Sequence, residues 1–181
     1  MSENGETAAA ARLMMRPSLA NWMKLMPAFQ LVGIPYEPFA RLFALSDTEL
    51  RTLNARRIIA DSKPGYPCRV SLSDAEIGEE LLLLPFEHQP AQSPYRASGP
   101  IFVRRNAVQR TVEPGMIPDY VGTRLISARA YDAQHQMIDA GVCAGRDAAA
   151  TLERLFSNPA AAYVHLHNAS RGCFSCTVRR A

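Results

Sequence analysis

The sequence predicts an α+β fold: one domain with a mostly antiparallel sheet and helices packed on one side. Three observations predict it. Segments of strand character outnumber those of helical period, connections in the second half of the chain are of hairpin length, and no regular strand–helix–strand alternation occurs. The last point argues against a doubly wound parallel sheet. With 181 residues, 48% of them hydrophobic, the chain can form one domain with a real core. We place that domain at residues 28–181. Residues 1–27 read as a flexible N-terminal extension, because Met1 to Ala11 are small or polar with no core pattern. Leu13 to Met26 could form a short Met-rich helix around Trp22, suited to docking on a partner or on a second copy of the chain.

The elements follow in order. Phe29 to Ile34 reads as a strand, and Tyr36 to Phe43 as a short helical turn. Ser46 with Glu49 is a capping box that opens a second helix through about Asn54. Arg57 to Ala60 is a strand, and Lys63-Pro64-Gly65-Tyr66-Pro67 a rigid loop. Glu80 to Phe86 carries four consecutive leucines, the pattern of a strand buried on both faces. Glu87 to Pro100 holds Pro90, Pro94, Gly99 and Pro100 and reads as a long loop, of a length often reserved for function. Ile101 to Arg104 resumes as a strand. Arg124 to Tyr131 and Gln136 to Cys143 form a hairpin, and Gly145 to Ser157 a helix ended by Asn158-Pro159. Ala162 to Asn168 and Cys173 to Arg179 close the chain as a terminal hairpin.

Charge and cysteine narrow the function classes. The formal net charge is +3 and the pI near 8.8. This balance admits a small anionic ligand but lacks the clustered stripe of a nucleic-acid binder. No apolar run approaches the roughly 20 residues of a membrane helix. Only Lys24 and Lys63 among the basic residues are lysine, which reflects either bidentate anion recognition or simple compositional bias. Cys68, Cys143, Cys173 and Cys176 follow nothing that resembles a secretory signal, so reduced thiols and a cytoplasmic location are expected.

Chemistry concentrates in two segments. In the terminal hairpin, Val164, Leu166, Phe174, Cys176 and Val178 are expected to face the core. Tyr163, His165, His167 and Cys173 would then share a polar opposite face. On this reading Cys173 and Cys176 point apart, and their CxxC spacing is accidental. His165-x-His167 offers two imidazoles to one ligand or ion, with His88, Cys173 or Cys68 as a third donor. The plainer alternative is a pair of ordinary polar residues on a solvated sheet. No structural metal is expected, and a weakly bound catalytic ion is the minority reading.

The second segment is the 87–100 loop, where Arg96 beside Tyr95 can grip a carboxylate or phosphate and His88 can exchange protons near neutral pH. Cys68-Arg69 could hold a thiol of lowered pKa, or simply a small buried residue. Arg129, in mid-strand, either pairs with Asp139 or lines a pocket. The expected function is therefore a His/Arg/Cys-lined pocket for a small anionic molecule, with enzymatic activity left open. His88, His165, His167 and Cys173 are the reactive candidates, and Tyr95, Arg96, Cys68, Arg69 and Arg129 the ligand-binding ones. The alternative is a non-enzymatic interaction module, either a homo-oligomer or a partner-binding protein. No GxGxxG, P-loop, Gly-x-Ser-x-Gly or HExxH is present, so no cofactor is named.

Four stretches carry a resemblance. They are Lys63-Pro64-Gly65-Tyr66-Pro67-Cys68-Arg69, Leu83-Leu84-Pro85-Phe86-Glu87-His88-Gln89-Pro90, Ser93 to Val103 (Ser-Pro-Tyr-Arg-Ala-Ser-Gly-Pro-Ile-Phe-Val), and His165-Leu166-His167-Asn168-Ala169 with Gly172-Cys173-Phe174. On these residues the chain from Phe29 onward resembles a family of small bacterial proteins known as domain of unknown function 1203. The resemblance spans about 150 residues and implies a single bacterial, cytoplasmic domain. It implies no activity, cofactor or catalytic residue.

Overall fold

The computed structural model describes residues 29–181, and the expected extension with its helix around Trp22 lies outside the described residues. β1 (Gln30–Val32) comes first. Pro38 starts the short α1 (Glu37–Ala40), which passes directly into a 3₁₀ turn (Arg41–Ala44), and together they bury Phe39 and Phe43. The predicted capping box opens α2 (Asp47–Thr52): Ser46 Oγ accepts from the Glu49 amide, and the Glu49 carboxylate accepts from the Ser46 amide at 2.7 Å. Next come β2 (Arg56–Ile59), the two-residue β3 (Pro67–Cys68) and β4 (Ser73–Asp74), and the long pair β5 (Glu80–Gln89) and β6 (Ala97–Arg104). The chain ends with α3 (Asp119–Gly122), β7 (Leu125–Tyr131), β8 (Met137–Ala144), a 3₁₀ turn (Gly145–Asp147), α4 (Ala148–Phe156), β9 (Tyr163–Asn168) and β10 (Phe174–Arg179).

The α+β class and the antiparallel pairing stand, with the strands divided between two five-stranded sheets. One sheet has the order β1-β10-β9-β7-β8 and the other β2-β5-β6-β3-β4. The β3–β6 pairing is parallel, and the other strand pairings are antiparallel. α4 buries Leu152, Leu155 and Phe156 against Ala128, Ala130, Val164, Leu166, Cys176 and Val178 of the first sheet. Burial of each large apolar side chain there contributes about 1.5–3 kcal/mol. A second core gathers Phe39, Phe43 and Leu50 over Leu82, Leu84, Ile101 and Val103 of the second sheet. It also includes Phe174, which comes from the first sheet.

The expected loop at 87–100 is corrected. β5 runs on through Gln89 and β6 resumes at Ala97, which leaves only residues 90–96 as the connection. Proline is tolerated because Pro85 and Pro100 face each other in the register, beyond the stretch where β2 pairs with β5 and beside the single β3 contact at Phe102. A missing N–H there forgoes no ladder bond on the outer edge.

Gly33 shows how tightly β1 is set against the rest of the chain. A Cβ at this position would run into the Val70 carbonyl, while the neighbouring Ile34 amide donates to Arg69 O at 2.9 Å. We predict that Gly33→Ala destabilises the protein by about 1–3 kcal/mol. Gly99→Ala, whose methyl would meet nothing within 4 Å, should change stability by less than about 0.5 kcal/mol. Urea unfolding midpoints of the two variants check this.

Candidate metal centre at the seam of the two sheets

β9 lies inside its sheet, hydrogen-bonded to β10 on one side and β7 on the other. Val164 and Leu166 turn toward α4, and Tyr163, His165 and His167 share the other face, as the alternation predicts. That second face is not solvated, which excludes the plainer alternative of ordinary polar residues on a wet sheet. His165 is 4% exposed and His167 1%, because the extended β5 crosses over them and brings in His88. Phe174 also changes sides. The register steps from Phe174↔His167 to Cys176↔Leu166, so Ser175 is the extra residue of a β-bulge. The bulge puts Phe174 on the histidine face and leaves Cys176 in the α4 core. The Phe174 ring then stacks on His88 (centroids 5.0 Å apart, planes at 2°) and meets His165 edge-on at 5.2 Å.

Three imidazoles converge on this apolar support. Their ring centroids are 5.0 Å apart for His88 and His167, 6.0 Å for His88 and His165, and 6.4 Å for His165 and His167. One ligand nitrogen from each lies within 4.8 Å of the others. Imidazoles bound tetrahedrally to one ion at ~2.0–2.1 Å would have centroids about 5 Å apart, so the cluster needs only slight contraction to close on an ion. Each ring has a buried nitrogen without a hydrogen-bond partner: Nδ1 of His88, Nδ1 of His165 and Nε2 of His167. His167 is fixed further. Its Nδ1 lies 3.1 Å from the Gly172 carbonyl, which can only accept, so Nδ1 carries the proton and Nε2 keeps the free lone pair.

Burial keeps these rings neutral. Desolvation pushes His165 down to about 3 and His167 down to about 4, and it lowers His88 as well; the Arg129 charge acts in the same direction on all three. Arg129 sits opposite His165 in the β7–β9 register. Of the two alternatives for Arg129, pairing with Asp139 is excluded: Asp139 binds Arg154 at 2.6 Å. Arg129 instead donates weakly to Ser127 Oγ at 3.4 Å and has no salt bridge among the described residues.

His88 and His165 line a cavity of about 670 Å³, together with Tyr163, His135, Thr177 and Arg179. At its wall the Tyr163 hydroxyl accepts from Gln89 Nε2 at 2.7 Å and meets His135 Nδ1 at 2.9 Å. His135 escaped the sequence reading. It sits at φ +61° in the β7–β8 turn, and nothing in its neighbours signals that the turn folds back toward β9.

The other sequence candidates lie elsewhere. Cys173 is half-buried, contacts the Arg171 carbonyl at 3.8 Å and lines a different cavity. Cys68 is fully buried in the second core, where its sulfur accepts from the Arg104 amide at 3.4 Å. Arg96 pairs with Glu87 at 2.6 Å and is not among the residues lining the histidine cavity. Tyr95 meets Tyr131 edge-on at 6.1 Å, carrying the 90–96 connection over β7. Arg69 is buried and donates to the Phe174 carbonyl from behind.

The lowered histidines make stability pH-dependent. Their folded values lie below the unfolded 6.5, so the stability is complete above pH 6.5 and is lost as pH falls from there toward the folded values. Near pH 5, unfolding of chelator-treated protein should take up about two protons. Urea midpoints measured between pH 7.5 and 5 (a range in which ordinary carboxylates stay ionised) should fall steadily, and a flat profile would contradict the burial of neutral rings.

No curated protein and no solved structure matches the chain. A family model described as "Protein of unknown function (DUF1203)" matches residues 65–180. The match takes in His88, Arg129, His165 and His167, together with the bulge that sets Phe174 among them. It covers more than half of the sequence, and the chain belongs to this family.

Proposed function

We propose that the protein binds one transition-metal ion on His88, His165 and His167 and uses the open coordination position for a small anionic molecule. One observation carries this reading: three imidazoles, two of them buried and the third half-buried, each with a buried, unpartnered ring nitrogen, converge within ligand distance of one another. Without an ion, each orphaned nitrogen costs about 1–3 kcal/mol of unsatisfied polarity. The depressed pKa values keep all three rings in the neutral form that coordinates metal. A divalent ion on three imidazoles, zinc or iron foremost, supplies Lewis acidity and a free position for a ligand oxygen.

The chain's own groups do the rest. The Arg129 guanidinium, opposite His165 in the register and free of any carboxylate partner among the described residues, favours negative charge beside the rings and can hold a carboxylate in fork geometry. It replaces Arg96 in that role, because Arg96 already pairs with Glu87. The Tyr163 hydroxyl, fixed between Gln89 and His135, offers a hydrogen bond at the cavity wall. Phe174 and Tyr131 keep water from the rings. Three protein ligands, two of them lining a ligand-sized cavity, suit a catalytic rather than a structural centre.

Two experiments test this reading. Elemental analysis of tag-free protein should find close to one transition-metal ion per chain, falling at least ten-fold in a His165→Ala, His167→Ala double variant. Absence of metal even after reconstitution with zinc, iron and cobalt would refute the centre. In cobalt-substituted protein, acetate should perturb the visible spectrum, and Arg129→Gln should keep the metal while weakening acetate about ten-fold, near 1.4 kcal/mol. An unchanged acetate affinity would remove Arg129 from the site.

A further inference from the structure

We infer that a second cavity, between the 64–67 loop, β6 and the β9–β10 turn, is a binding site for a small phosphorylated molecule, with the Arg69 guanidinium meeting its phosphate. The cavity measures about 670 Å³, the size of a ligand site, and the inference does not depend on the metal centre. Arg69 carries it. The residue is 2% exposed and lines the cavity. Its Nε donates to the Phe174 carbonyl at 2.8 Å and its Nη1 to the Pro67 carbonyl. Both acceptors are neutral, Nη2 has no partner among the described residues, and no carboxylate there comes within salt-bridge distance of the guanidinium. A buried charge without a counter-ion is costly, so the cavity is built to be completed by an anion.

The surroundings favour a phosphate over a simple carboxylate. Arg56, Arg124 and Arg171 line the same cavity. Arg124 is held by both Asp74 oxygens, at 2.6 and 2.8 Å. Arg56 and Arg171 are exposed and have no salt bridge among the described residues. Three guanidiniums thus remain uncompensated. A phosphate monoester brings about −1.5 to −2 charge and three acceptor oxygens, which a monocarboxylate cannot match. The rest of the ligand has complements too. Phe102 presents an apolar wall, and Asn168 and Ser170 add polar side chains to the lining. The cationic groups surround a concavity rather than a stripe, so a small molecule fits better than a nucleic-acid strand.

Isothermal titration of the full chain with inorganic phosphate and with phenyl phosphate tests the site. Both should bind one per chain, phenyl phosphate several-fold tighter because of its apolar ring. Arg69→Met should weaken both at least ten-fold. Arg171→Glu, at an exposed position outside the cores, should do the same and so keeps the test valid if Arg69→Met fails to fold. Chelator-treated protein should bind phosphate as untreated protein does. Failure of both probes to bind at millimolar concentration would overturn the inference, as would binding indifferent to Arg171→Glu. Binding lost on chelation and kept in Arg171→Glu would also overturn it, because the anion would then sit at the histidines.

Discussion

Burying an imidazole in apolar surroundings is unfavourable unless each nitrogen finds a donor, an acceptor or an ion, and this fold buries two completely and a third in large part at one seam. The seam is where the two sheets meet. β5 has to run as far as Gln89 to bring His88 across β9, and β10 has to bulge at Ser175 to turn Phe174 under the rings. Remove the bulge and strict alternation returns Phe174 to the α4 core, leaving the three rings without the surface they pack on. The local irregularity and the candidate centre are therefore one structural feature.

The same turn links the two cavities. The Gly172 carbonyl fixes the His167 tautomer, and two residues later the Phe174 carbonyl accepts from Arg69. Gly172 stands at φ +74°, a conformation glycine adopts without strain, and this lets the chain reverse tightly enough for its carbonyl to reach His167. Arg69 in turn sits next to Val70, whose carbonyl lies against Gly33. Backbone hydrogen bonds and close backbone contact thus connect β1, the guanidinium and the imidazoles through a short path. A change at any of these points is expected to reach the rings by moving backbone rather than by altering charge.

Much of this was legible in the sequence, and the misses have physical causes. The capping box at Ser46 and Glu49, the four-leucine strand and the α4 periodicity are local signals, and they gave elements close to those observed. The pairing of His165 with His167 on one face followed from strand alternation alone. Whether that face was wet did not, because it depends on β5, some 80 residues away. Pro90 and Pro94 do lie in the connection, but Pro100 read as loop since the sequence cannot say which edge of a hairpin is free. The Phe174 reversal needed the bulge, which leaves no mark in the residue pattern. Strand proximity made Asp139 one possible partner for Arg129, but α4 supplies Arg154, which reaches that carboxylate first. Cys173 shared the parity of the histidines, yet it precedes the paired strand and turns to the other cavity.

The proposed centre is tested most directly by diffraction from crystals of the full chain soaked in zinc, with data collected at the zinc absorption edge. The predicted result is a single strong anomalous peak ~2.0–2.1 Å from Nε2 of His167 and from one ring nitrogen each of His88 and His165, with the three rings drawn slightly closer together. No peak at the seam, or zinc bound only at surface residues while the three imidazoles keep their unpartnered nitrogens, would contradict it.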